Sequence, residues 1–147
     1  MFFNHCIGIT FRAMRNTTLA AIILIGGSLL FIASPVHWFM GNKMLGDKLL
    51  ATNTSVEVID SVQWIWNFLS ISMALLGIWG MFIAVSARKN LRYVRKQALS
   101  LGSGLVLFGT WGAFKPFFNP HLAFFALVGL MILIPGFFLS KEQGPYK

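Results

Sequence analysis

The chain's charges fall between long apolar runs, and this segregation limits what it can fold into more than any motif does. Residues 18–40, 62–87, 98–114 and 121–140 contain no Lys, Arg, Asp or Glu. A helix rises about 1.5 Å per residue and the hydrocarbon core of a bilayer is about 30 Å thick, so about 20 mostly apolar residues make one crossing. The expected fold is therefore all-α: a polytopic integral membrane protein, a four-transmembrane-helix antiparallel bundle forming one domain over residues 1–147. Composition agrees. Hydrophobic residues make up 56% of the chain and charged ones 11%, against roughly a quarter charged in a soluble domain.

The first run follows Arg12 and Arg15 and has its apolar centre over residues 19–33. It also suits a signal peptide, with Ala33-Ser34 as small residues before a cut, but Pro35 is a poor neighbour for cleavage and a retained span is expected. Residues 41–61 are polar and read as an outer loop, with Met44, Leu45, Leu49 and Leu50 spaced for a short interfacial helix. Thr54 and Glu57 have the spacing of a capping box, which starts the second helix ahead of its membrane-embedded part. Trp64 and Trp66 then suit the head-group level. The third run is short for a crossing. Before the fourth, Asn119 suits an N-cap and Pro120 the first helical position, so helices 3 and 4 form a tight hairpin. Pro135 is expected to bend the last helix.

Four spans put both termini and the connection between helices 2 and 3 on one side. That side holds nine bases: Arg12, Arg15, Arg88, Lys89, Arg92, Arg95, Lys96, Lys141 and Lys147. The other holds three, Lys43, Lys48 and Lys115, beside Asp47, Glu57 and Asp60. Cytoplasmic loops carry the excess of Lys and Arg, so both termini are expected in the cytoplasm and the membrane is a plasma or inner membrane. The run Arg88, Lys89, Arg92, Arg95 and Lys96 sets this topology and meets lipid head groups, so the net charge of +8 points to membrane lipids and not to nucleic acid.

Several function classes drop out. With Cys6 as the one cysteine, no intrachain disulfide, redox pair or thiolate zinc cage can form. No acid lies inside a run, whereas proton-coupled carriers bind their ion at an intramembrane carboxylate; small multidrug transporters, similar in size, place a glutamate in their first helix. His37 and His121 sit at run ends, as water-facing interfacial histidines do, and not at the depth of a haem, so no metal, cofactor or catalytic residue is assigned. Gly102, Gly104, Gly109 and Gly112 read as helix-packing positions. Two sequons, Asn16-Thr17-Thr18 and Asn53-Thr54-Ser55, are present, and Asn53 is the one expected outside.

Helix 2 carries a polar stripe. Asp60, Gln63, Asn67 and Ser70, then Ala74, Gly77 and Met81, recur at helical spacing and share one face, which should point into the bundle. With His37, Lys115 and His121 at similar depth, Asp60, Gln63 and Asn67 form a candidate outer-face polar cluster. It reads either as helix-to-helix hydrogen bonding or as a site for a small molecule, lipid or quinone.

A first helix closed by Ser34-Pro35-Val36-His37-Trp38, followed by three helices with a basic connection after the second, resembles in outline the small four-helix membrane proteins grouped with DoxX. Some of that group are associated with quinone-linked oxidoreductase complexes. The resemblance implies a fold and transfers no functional residue. The expected function is a non-enzymatic accessory or assembly component that associates with itself or a larger membrane partner; the alternative is a binding or transport protein using the outer-face cluster.

Overall fold

The computed structural model describes the backbone of residues 2–89, 91, 93–114 and 120–139, and side chains from Asn16 onward except those of Pro120 and His121. Among the described residues there are four helices and no strand: α1 Phe2–Ala51, α2 Val56–Arg88, α3 Val94–Ala113 and α4 Pro120–Phe138. Two of them, the Asn16–Ala51 part of α1 and the whole of α2, are long and apolar enough to cross a membrane. The other two are shorter.

The first helix corrects the sequence expectation most. It does not stop near Met40 but runs on to Ala51, so the expected outer loop over residues 41–61 is largely helix. Pro35 lies inside α1. It removes one amide and leaves the Phe31 carbonyl without its helical donor, a local loss that the flanking turns absorb. The apolar spacing read as a separate interfacial helix is the last three turns of α1: Leu45 and Leu49 are half-buried, while Met44 and Leu50 are exposed.

The reversal after α1 is a Schellman turn. Thr54 N–H donates to the Leu49 carbonyl at 3.3 Å and Asn53 N–H to the Leu50 carbonyl at 3.3 Å, with Asn53 left-handed at φ 53. Asn tolerates that conformation better than other residues with a Cβ, which suits it to the C′ position where glycine is commoner. The expected capping box is absent. Ser55, not Thr54, is the N-cap of α2 and makes no side-chain cap bond, while the Thr54 hydroxyl is 2.8 Å from that of Thr52. Glu57 still lies in the first turn of α2, where its charge favours the helix dipole.

The basic stretch is likewise less of a loop than its composition suggests. Arg88 ends α2, Lys89 is its C-cap, and Arg95 and Lys96 lie in the first turn of α3, which begins four residues earlier than expected. At the other end of the chain the expectation was close: α4 begins at Pro120 and continues past Pro135, with Leu139 N–H donating to the Pro135 carbonyl at 3.0 Å.

The helices pair as two antiparallel hairpins. In α3–α4, Gly102 meets Leu133, Gly129 meets Val106 and Gly109 meets Ala126, in opposite chain order. In α1–α2, Gly27 meets Gly80 and Met81, Phe31 meets Gly77, and Gly41 meets Trp66. The small residues recur every seven positions: Ala20, Gly27, Ser34 and Gly41 on α1; Ser70, Gly77 and Ala84 on α2; Gly102 with Gly109 on α3; Gly129 with Gly136 on α4. A seven-residue repeat keeps one seam facing its partner as a left-handed supercoil winds. Small residues on that seam bring backbones together.

The hairpins join through α4 against α1, where a Cβ on Gly26 would lie 3.4 Å from Ile132. Ile23, Leu30, Ile83, Val128 and Ile132 are fully buried there. Counting antiparallel from this contact, the start of α4 stands opposite about His37. Residues 38–51 and 56–69 therefore project beyond the described ends of α3 and α4 by about 20 Å.

Candidate functional site

The polar side chains foreseen for the outer half of helix 2 lie on the seam between α1 and α2. Lowest is Ser34, buried, whose hydroxyl donates to the Ser70 carbonyl at 2.6 Å; the Ser70 hydroxyl in turn donates to the Trp66 carbonyl at 3.0 Å. Next, the Trp66 indole Nε1–H donates to the His37 carbonyl at 2.8 Å, and the two rings meet edge-on with centroids 4.2 Å apart. Gly41 makes room for that indole, since a Cβ there would overlap Trp66. One turn further out, Asn42 Nδ2 donates to Asn67 Oδ1 at 2.8 Å. Gln63 lies against Gly46, its Nε2 standing 3.6 Å from where a Cβ would be.

Of the six residues proposed for the outer-face cluster, three are brought to this seam: His37, Gln63 and Asn67. Asp60, two turns before Asn67 on the same side of α2, is exposed. Lys115 and the side chain of His121 lie outside the described residues, so the pairing of His37 with His121 does too. Among the described residues no group of three or more His, Cys, Asp or Glu side chains is placed to hold a metal ion.

Sequence reasoning missed Asn42, because it was assigned to a loop, and took Trp66 for a head-group indole and not a donor across the seam. The signal was available. Ser34 and Gly41 are seven apart, as are Gln63, Ser70 and Gly77, and on antiparallel helices this spacing places both rows on one interface.

An asparagine pair between two helices is costly to break on one side only. Asn42→Leu removes the donor and leaves Asn67 Oδ1 part-buried, which should cost about 1 to 2 kcal/mol. The double variant Asn42→Leu with Asn67→Leu replaces both partners and should recover most of it. Unfolding by a strong detergent, followed through tryptophan fluorescence in a double-mutant cycle, reads the coupling; additive losses would contradict the pairing.

At the opposite end, Arg88, Lys89 and Lys96 are exposed and Arg95 is half-buried; Arg92 is outside the described residues. Lys96 Nζ stands 5.5 Å from the centre of the Tyr93 ring. Arg95 continues the seven-residue row of Gly102 and Gly109, so its stem is drawn toward the α3–α4 seam, and its Nε is buried without a hydrogen bond among the described residues.

No protein-family model, curated protein or solved structure matches this chain. Its functional reading rests on the geometry above.

Proposed function

We propose that this chain is an integral membrane protein whose four helices all cross the bilayer, and that it serves as a non-enzymatic accessory or assembly component, associating with itself or with a larger membrane partner. The observation that carries the reading is an inversion of polarity: hydroxyl, amide and indole groups are turned to one another between α1 and α2, while large apolar side chains such as Ile32, Phe68, Leu107 and Ile134 face outward. In water that outer surface would be a severe liability; in lipid it is the expected exterior.

Length supports the same reading. The section where all four helices run side by side is about 20 residues per helix, hence about 30 Å, one hydrocarbon thickness. The nine-to-three split of bases orients this section with both termini in the cytoplasm of a plasma or inner membrane, the α2–α3 turn on the same side, and the α1–α2 tip outside.

Extraction in a mild detergent, followed by cross-linking and mass spectrometry, tests the accessory role. A homo-oligomer or a stoichiometric membrane partner is expected; an isolated monomer at every concentration would contradict it. A second reading, ligand binding or transport by the outer-face cluster, has one observation in its favour: Asn42 Oδ1 is buried with no hydrogen-bond partner among the described residues. A small molecule co-purifying with the wild type and lost from Asn42→Leu would favour that reading instead.

A further inference from the structure

The two sequons stand in opposite settings. Asn16-Thr17-Thr18 lies inside α1 on the base-rich side of the chain, and Asn16 is buried at 5% exposure. A side chain so enclosed is closed to a bulky modification. Asn53-Thr54-Ser55 instead belongs to the reversal between Ala51, the last residue of α1, and Val56, the first of α2. That reversal is the far tip of the section that projects about 20 Å beyond the described ends of α3 and α4.

The local structure leaves this second tripeptide open. Asn53 is exposed and left-handed at φ 53, in the C′ position of the Schellman turn, so it belongs to the turn and not to a helix face. The middle position holds Thr54 and not proline, as the acceptor pattern requires. Ser55 is exposed and extended at φ −63 and ψ 146; it is the N-cap of α2 yet makes no side-chain cap bond. A serine in that position commonly gives its oxygen to a first-turn amide. Here the hydroxyl that completes the sequon is not taken up by the helix.

We infer that Asn53 is an acceptor for an N-linked oligosaccharide. The inference rests on the membrane reading above, with the α1–α2 tip on the translocated side, and gives that tip a covalent modification. The donor is an oligosaccharide carried on a polyprenyl diphosphate and brought by a membrane-bound transferase. Asn53 Nδ2 forms a bond to the anomeric carbon of the first sugar, and the bond from that carbon to the diphosphate oxygen breaks. The polyprenyl diphosphate leaves with the electron pair, and the amide nitrogen gives up one proton. The attached glycan is bulky and hydrophilic. It covers the tip, so a membrane partner is left the flanks of the helices.

Translation of the full chain with endoplasmic-reticulum microsomes tests the assignment. The wild type should gain one glycan, seen as a single upward shift in apparent mass that an endoglycosidase removes. Asn53→Gln and Ser55→Ala should abolish the shift, and Asn16→Gln should leave it unchanged. A second form of the chain, with a sequon appended after Lys147, reports orientation: its tail should stay bare while Asn53 is modified. Chains that resist alkaline carbonate with both Asn53 and the tail bare, or a shift that survives Asn53→Gln, would overturn the inference. A glycan on the tail in place of Asn53, or release of the chain by carbonate, would instead overturn the membrane reading itself.

Discussion

Gly77→Leu should unfold the α1–α2 hairpin or force it apart, whereas Gly104→Ala, an equally mid-helical change, should be harmless. A Cβ at Gly77 would lie 2.6 Å from the Phe31 backbone nitrogen and 2.8 Å from the Gly27 carbonyl oxygen. These are backbone atoms of a helix and cannot swing aside as the end of a side chain can. The helices must separate, and the loss spreads along the seam to the Ser34–Ser70 and Asn42–Asn67 contacts. Overpacking of a core typically costs about 1 to 3 kcal/mol, and a backbone-to-backbone seam should sit at or above the top of that range. At Gly104 a Cβ meets nothing within 4 Å, so alanine there gains up to about 1 kcal/mol in helix propensity. Strong-detergent titration of both variants reads the difference; comparable losses would mean that the seam is not where the register places it.

Ile132→Ala should carry the next largest cost, and a different one, by loosening one hairpin from the other. Ile132 is fully buried, and its side chain lies against both Gly26 of α1 and Gly80 of α2. It is the point where α4 reaches both helices of the other hairpin. Truncating a buried isoleucine costs about 2 to 5 kcal/mol in soluble proteins, part of it the loss of transfer out of water. On the proposed membrane reading the separated helices stay in lipid, so the transfer part largely disappears and the lost packing remains. The expected cost is therefore about 1 to 3 kcal/mol. Each hairpin should stay closed, so a cross-link between cysteines at Ala98 and Gly136, where an added Cβ would meet that of Ala98 at 3.1 Å, should form in the variant as in the parent. One between Gly26 and Val128 should form more slowly.

Helix number and order, the entry of α4 at Pro120 and the exit of α2 at Arg88 were legible in the sequence, because each rests on a local rule: apolar length, proline at a first turn, a charge ending a run. What escaped was set by partners distant in the chain. The stretch from Gly41 to Ala51 is polar enough to read as a loop, yet it stays helical because Leu45 and Leu49 pack on α2 and Asn42 has Asn67 to bond. Pro35 read as a helix end because proline disfavours a helix interior, but two helices in close contact hold the turns on either side of it. The capping box failed for a geometric reason: with Asn53 left-handed in the Schellman turn, Thr54 is spent on Thr52 and the helix starts one residue later.

The polar cluster was legible in half. The α2 side follows from helical spacing alone, so Gln63, Asn67 and Ser70 could be placed on one face. The α1 side needed the seven-residue rhythm of small residues, which becomes meaningful when both helices are known to run antiparallel and in register.

The central claim is that the α1–α2 tip and the α2–α3 turn lie on opposite sides of a membrane. Impermeant maleimide labelling of single cysteines, in a Cys6→Ala background, tests it most directly. Asn53→Cys, at the exposed tip, should label in intact cells; Lys89→Cys, at the exposed end of α2, should label only after permeabilisation. Equal labelling of both from outside, or of neither until the membrane is opened, would contradict the account.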